Sequence, residues 1–468
     1  MKFLKNIFKV VLGNGAAIIS GIFVGFVLPK IISLYDYGFY KVFTLYFNYI
    51  GVLSFGIIDG IVLKYGKYDY QELERKRFRS FFAWYLIVNT FFTVALLIVS
   101  LFVANLDYSF VLLLLCANIL PVNCTGYFQQ ISQITQRFKE FSVRKIVHSV
   151  LNIAFILVLY LFYKFEFSNI TYKIYLIGVL VINVLLNLWY IVTYRDIIFG
   201  EKESLGSSIK EVLSLMKIGF PLLLSNLCTT FLLSLDRQFV SILFSIEEYA
   251  VYGFAYSMLS LLTVATSSIA TVIYPLFKRM DKEVLISNYS NINACVMVFS
   301  FVIVLVFYPL CYFINWYLPL YFNSLEIFRI ILPGIAISTV VTVVLHNYYK
   351  VFDITSIFLR KSIIILFVSL VLNFVAYFCF HTREAISVAS VISLLIWYVM
   401  TEFSLRKKCV IKVKNLIYMI VMCACFYLCT ILTLYWLGFI INVVLLAVVT
   451  LLLYRKDAKN IIKLIKNN

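Results

Sequence analysis

The chain has 468 residues, of which 63% are hydrophobic and 13% charged, whereas a soluble domain is usually nearer a quarter charged. Its net charge of +18 would suit a nucleic-acid partner, but the Lys and Arg residues are dispersed between apolar runs. No basic, aromatic-interleaved domain is left for RNA or DNA, so that class is excluded.

Apolar runs of about 18 residues or more recur from end to end, each long enough to cross roughly 30 Å of hydrocarbon as a helix. Hydropathy marks about fourteen, which predicts an all-α polytopic membrane protein. The first, opening with MKFLKNIFKV, starts like a signal peptide. Its apolar part is too long and lacks a small-residue cleavage site, so a retained first helix is expected. Of the 40 basic residues, 33 fall in the amino terminus, in the connections around 64–79, 137–145, 195–217, 278–282, 350–361 and 406–414, and in the tail 455–466. By the positive-inside rule these segments, both termini included, are cytoplasmic. The opposite connections are short, as at 104–109, and leave no outer domain in which an enzyme could hold an exported glycan. Ten cysteines, mostly within or beside the spans, have spacings that fit no zinc site and behave as small buried hydrophobes.

An internal repeat runs through the chain. YDYGFYKVF, at 35–43, aligns without gaps on EEYAVYGFA, at 247–255, an offset of 212 residues, and Asn14 falls on Asn226 at the same offset. Six helices separate the copies, so the two halves share one topology about an axis along the membrane normal, a recurrent transporter plan with its path between the halves. The expected organisation is a lobe of six helices at 1–205, a second of six at 206–405, and two further helices with a basic tail at 406–468.

Several polar residues within spans are candidates for function. The stretch LSLDRQFVSI places Asp236 and Arg237 in the seventh span, about 27 Å along a continuous helix entering near Ile218. An ionised group at that depth faces a partner, a bundle interior or a wet cavity. Arg237 then lines a cavity and attracts an anion, with Asp236 orienting it or carrying a coupling proton. Alternatively the residues enter an interfacial or interhelical salt bridge that fixes two helices, each with another partner, because adjacent residues on a helix point about 100° apart. Lys41, one turn after the repeated Tyr motif, either faces the same cavity or snorkels to the headgroups. Asn14 and Asn226 either bond sugar hydroxyls or cement helices. Asp59 and Lys64, with Arg137, Arg144 and His148, form an expected inner gate or substrate-phosphate site. His346 is a possible titrating group or a hydrogen-bonded structural histidine. No nucleophile–base set, paired carboxylates, metal site or phosphate-binding glycine loop stands out, so no catalytic residue and no cofactor are expected.

YDYGFYKVFTLYFNYIGVLSFGIIDGIVLKYGKYD resembles the bacterial polysaccharide and O-antigen oligosaccharide flippases of the multidrug/oligosaccharidyl-lipid/polysaccharide exporter superfamily. In that family an acidic-Tyr-Gly-Tyr-like turn opens the second helix, and a Gly-rich, Asp-containing end closes it before a basic loop. GFPLLLSNLCTTFLLSLDRQFVSILFSIEEYAVYGFAYSM resembles the family's seventh and eighth helices, and TQRFKEFSVRKIVHSVLNIAF the link between its fourth and fifth. The likeness covers about the first 280 residues and continues by pattern only, with the Gly-Ala-rich start of the twelfth helix partly kept in HTREAISVASVIS.

The resemblance implies a flippase of the bacterial cytoplasmic (inner) membrane. It would move a polyprenyl-diphosphate-linked oligosaccharide, a repeat unit of O-antigen, lipopolysaccharide or another surface polysaccharide, to the outer leaflet by alternating access. Its partners would be that lipid-linked oligosaccharide, bilayer lipids and a polysaccharide polymerase or chain-length regulator. Two alternatives stay open: a cation-coupled exporter of small organic cations from the same superfamily, which Lys41 and Arg237 disfavour, and a polytopic glycan polymerase.

Overall fold

The computed structural model describes residues 2–466 except 67, 167, 168, 407 and 433. Side chains are described between 12 and 455, apart from 205 and much of 264–279, so those of the basic amino terminus and tail lie outside the described residues. Within these limits the chain is helical and contains no strand. Among the described residues, eleven helices are long and apolar enough to cross a membrane, or twelve if the bent pair Leu34–Ser54 and Ile57–Tyr65 is one span. The protein is a multi-pass membrane protein.

The chain divides into two compact units, one made of residues 1–230 with 244–250 and the other of 231–243 with 251–468. The first contains α1 (Lys2–Ile31), α2 (Leu34–Phe47), α3 (Ile57–Tyr65), α4 (Arg75–Leu101), α5 (Leu106–Ile134), α6 (Phe138–Lys164), α7 (Tyr172–Thr193) and most of α8 (Leu205–Leu232). Here α5 is the hub, packed against α2, α3, α4, α6 and α7. Lipid tails are as apolar as leucine, so close packing and polar contacts, rather than hydrophobicity, must hold such helices together. Both are present. A methyl group at Gly60 would stand 2.2 Å from the Leu215 carbonyl oxygen, and one at Gly219 would stand 2.1 Å from that of Gly56, so α3 and α8 meet backbone to backbone. Rings of Phe82, Tyr127, Phe128, Tyr190 and Tyr194 fill the space between α4, α5 and α7.

The second span bends by 56° between its halves. The bend sits at Phe55 (φ 47°) and Gly56 (φ 79°), both left-handed. Gly56 tolerates this conformation freely, whereas Phe55 holds it at a cost of about 1–2 kcal/mol.

The second unit contains α9 (Leu235–Leu243), α10 (Ile246–Arg279) from Val251 onward, α11 (Lys282–Val304), α12 (Phe307–Tyr317), α13 (Ser324–Thr339), α14 (His346–Val351), α15 (Thr355–Phe380), α16 (Arg383–Leu405), α17 (Lys414–Thr430) and α18 (Tyr435–Lys466). A π-helical turn, Val340–Leu345, joins α13 to α14, and together they form the most buried span. Around them, α13 packs against α11, α16 and α17, while α9 packs against α15 and α16.

The repeat has a structural counterpart. Ser33 Oγ accepts the Asp36 N–H at 3.0 Å and donates to the Asp36 carboxylate at 2.5 Å. At the 212-residue offset, Ser245 Oγ accepts the Glu248 N–H at 3.2 Å and the Glu248 carboxylate accepts the Ser245 N–H at 3.2 Å. Both copies thus start a helix with a serine that accepts the N–H of the acidic residue three positions on and donates its hydroxyl to that residue's carboxylate, and the second copy adds the bond from the Ser245 N–H.

The continuous seventh helix expected from hydropathy is not observed. The chain turns at Leu233 and Ser234, between α8 and α9, so Asp236 and Arg237 open a new helix and a uniform rise from Ile218 does not locate them. No proline or glycine causes the break. Ser234 N–H bonds back only three residues, to Phe231 at 3.1 Å, and the Arg237 guanidinium donates to the freed Leu233 carbonyl at 3.1 Å.

Candidate functional site: two polar cavities

In the second unit, the start of α9 borders a cavity of about 220 Å³ together with α10, α13 and α16. Asp236 is 2% exposed. Its carboxylate accepts the Arg237 backbone N–H at 2.8 Å, the Tyr252 hydroxyl at 2.7 Å and the Tyr256 hydroxyl. Tyr252 in turn accepts from Ser387 on α16 at 3.3 Å. The carboxylate is therefore occupied by α10 and by its own helix start. The Arg237 guanidinium lies 4.5 Å from the centre of the Tyr256 ring, and its buried Nε has no hydrogen-bond acceptor. Among the described residues no carboxylate pairs with that guanidinium. Asp236 thus meets Arg237 through the backbone. Apart from these two residues the walls are hydroxyls, such as Ser260, Ser338 and Ser390, and aliphatic side chains.

The first unit holds a second cavity, of about 340 Å³, where the bent second span meets α5 and α8. Its polar lining is Asn48, Ser54, Asp59, Asn123, Gln130, Asn226 and Thr230. The 3-10 stretch Ile50–Ser54 between α2 and α3 supplies Ser54, Asn48 precedes it and Asp59 lies in the first turn of α3. Asn123 is fixed by donating to the Ile50 carbonyl at 3.1 Å and to Asn89 at 2.5 Å. Asn48 donates to Thr44 O at 2.9 Å, which leaves its amide oxygen free to accept. Among the described residues, Asp59 is the sole charged one of the lining.

The sequence candidates therefore group differently from the expectation. Asp59 shares the cavity of Asn226 and is separated from Lys64, which pairs with Glu211 at 2.7 Å. Asn14 accepts from Lys145 of α6 at 2.6 Å, so the two asparagines of the repeat have different surroundings. Lys41 lies 5.1 Å from the ring centres of Tyr37 and Tyr40. Arg137 and Arg144 both reach Glu140, the latter at 3.4 Å, and Arg144 also donates to Thr193 at 2.5 Å. His148 belongs to a polar contact of α6 with α7, 3.4 Å from the Asn183 oxygen, and Asn183 donates to Asn118 of α5 at 2.9 Å. His346 stacks on Phe358 with centroids 4.4 Å apart.

The basic end of the first unit is cross-braced. Arg75 and Arg137 flank the Tyr70 ring at 4.4 Å each, and the Tyr70 hydroxyl donates to Asp196 at 2.7 Å. Burial, and then that carboxylate, push the Tyr70 hydroxyl well above its ordinary pKa.

Sequence reasoning missed Asn48, Asn123 and Gln130. One signal was available: Asn123, Gly126 and Gln130 follow one another at steps of three and four, a single helix face inside an apolar span.

The chain is similar in fold to the lipid II flippase MurJ in an inward closed conformation, with a TM-score of 0.74 and 14% identity over 96% of this chain and 99% of that one. A transporter of the MOP superfamily from Pyrococcus furiosus matches with a TM-score of 0.59 and 14% identity, over 86% of this chain and 96% of that one. A point mutant of the Vibrio cholerae MATE transporter VcmN matches with a TM-score of 0.53 and 14% identity over the same shares. Identities at this level speak to the fold. No curated protein matches the sequence. The polysaccharide biosynthesis protein family matches residues 3–281, more than half of the chain, and the chain belongs to that family.

Proposed function

We propose that the protein is a flippase that carries a polyprenyl-diphosphate-linked oligosaccharide, the repeat unit of an O-antigen or other surface polysaccharide, from the inner to the outer leaflet of a bacterial cytoplasmic membrane. In this reading the chain crosses fourteen times, Ile246–Arg279 and Lys414–Thr430 adding to the twelve spans above, with both termini cytoplasmic. Family membership and likeness to a lipid II flippase favour it over catalysis, and a polysaccharide polymerase or chain-length regulator is a natural partner.

The observation that carries the proposal is the state of Arg237. A glycan diphosphate cannot cross hydrocarbon unaided, because burying unpaired charge is prohibitive. A guanidinium that stands in a cavity while its neighbouring carboxylate is occupied by two tyrosines offers a planar fork for two phosphate oxygens. Asp236 keeps α9 and α10 together and so holds Arg237 in place. Rocking of one lobe against the other would then expose the site to either face in turn.

The test is complementation. In cells lacking the chain, Arg237→Ala should restore surface polysaccharide at least about tenfold less well than the native sequence at equal expression, as expected for losing a charged hydrogen bond to phosphate. Full restoration would remove Arg237 from transport. Increased sensitivity of the deleted cells to cationic drugs, with normal surface polysaccharide, would favour a small-molecule exporter instead.

A further inference from the structure

We infer that the first-unit cavity is a sugar-recognition subsite, with Asp59, Gln130 and Asn226 as its specificity-determining residues and a non-acidic sugar as its ligand. This deepens the flippase proposal and rests on it.

Three observations converge on a sugar. The first is the chemistry of the walls: amides, which both accept and donate, and one carboxylate, which accepts, alternate with aliphatic groups from Ile58, Val122 and Leu227. Sugars present hydroxyls along their edges and C–H groups on their faces, and such a lining matches both. The second is that the polar groups lack other employment. Among the described residues no other side chain bonds Asp59 or Gln130, both half-buried, whereas polar groups inside membrane proteins normally find partners; Asn226 is exposed and open to a ligand. The third is the backbone. The wall between Asn48 and Asp59 leaves the α-helix for a single 3-10 stretch, Ile50–Ser54, and then kinks at Phe55, which is left-handed, and such departures from a regular span are tolerated where they line a cavity. Strain of this kind concentrates at ligand sites.

The size and charge of the cavity argue against a metal ion. Its volume of about 340 Å³ is far beyond one cation, Asp59 is the only charged ligand, and no group of three or more His, Cys, Asp or Glu side chains lies together among the described residues. The same carboxylate, with no Lys, Arg or His in the lining, would repel a uronic acid and accept neutral or amino-bearing sugars. Asp59, paired with two vicinal hydroxyls, would supply the strongest single contact.

The experiment measures binding to the full-length protein in lipid nanodiscs. It uses two probes: the glycan-bearing lipid diphosphate extracted from cells lacking the chain, and undecaprenyl diphosphate without sugar. The native protein should bind the glycan-bearing probe about tenfold or more tightly than the bare one. Asn226→Ala, Gln130→Ala and the isosteric Asp59→Asn should each cut that preference roughly three- to tenfold and leave affinity for bare undecaprenyl diphosphate unchanged.

The inference is overturned by a native protein without preference, by variants that keep it, by a sodium-dependent affinity lost in Asp59→Asn without change in glycan preference, or by a native glycan made only of acidic sugars. Arg237→Ala separates the two proposals. Under the flippase proposal it weakens both probes equally and preserves their ratio. An unaffected Arg237→Ala protein with a cavity-dependent preference would sink the role of Arg237 and leave the sugar subsite standing. If no glycan-bearing lipid accumulates in the deleted cells, the flippase proposal itself fails, and the subsite with it.

Discussion

The Tyr252 hydroxyl donates to the buried carboxylate of Asp236 at 2.7 Å, tying the helix start after the broken seventh span to α10. The tie engages the carboxylate and, among the described residues, leaves the neighbouring Arg237 without an acidic side-chain partner. Removing the hydroxyl with Tyr252→Phe leaves Asp236 with Tyr256 and one backbone N–H, and should cost about 1–3 kcal/mol, the range for losing a hydrogen bond to a buried charge. Thermal denaturation of the purified variant should show a lower Tm, with transport reduced but present. Asp236→Ala should do more harm, since two buried tyrosine hydroxyls then lose their acceptor. An unchanged Tm in both variants would contradict this role.

The contact of α3 with α8 has no room for a side chain. Gly60→Ala should destabilise the protein by about 1–3 kcal/mol, because its methyl group would overlap the Leu215 carbonyl. Gly15→Ala, where nothing lies within 4 Å, is the control and should melt like the native protein.

Two ion pairs at the basic end should differ in weight. Lys64 pairs with Glu211 where both are partly exposed, so Lys64→Ala should cost less than about 1 kcal/mol and the cost should shrink in high salt. Arg144 is 3% exposed, and Glu140→Ala would leave it the Thr193 hydroxyl and the faces of Trp189 and Tyr190 but no carboxylate among the described residues, at a cost of about 3 kcal/mol. Comparing the two melting shifts at low and high salt checks the ranking.

Alkaline pH should act through Tyr70. Its hydroxyl has a raised pKa in the folded state, so folding favours the protonated form. The stabilisation is complete below the unfolded value of about 10 and is lost as pH rises beyond it, because only the unfolded chain then releases the proton readily. Tm should fall above about pH 10, and Tyr70→Phe should flatten that fall. An identical pH profile in the variant would count against it.

How far the sequence could be read follows from physics. Long apolar runs announced the helices because length and composition alone decide what crosses hydrocarbon. The repeat was legible at Asp36 and Glu248 because both copies place an acidic side chain three residues after a capping serine, whose hydroxyl donates to it. The break before Asp236 was not legible. Prolines at 121, 221 and 333 lie inside helices, while the chain breaks at Leu233 and Ser234, where the tertiary bond from Tyr252 to Asp236 and the local bond from Arg237 to the Leu233 carbonyl outweigh helix propensity. The company of Asp59 was hidden too. Its neighbours in sequence suggested Lys64, but the bend at Phe55 and Gly56 and the tight seat of Gly219 bring Asn226 to the same cavity.

The most direct measurement is the pool of lipid-diphosphate-linked oligosaccharide in cells lacking this chain, together with their surface polysaccharide. Accumulation of complete units facing the cytoplasm, with loss of the surface polymer, is the predicted result. A normal pool with a normal surface, or complete units already on the outer face, would contradict a flippase.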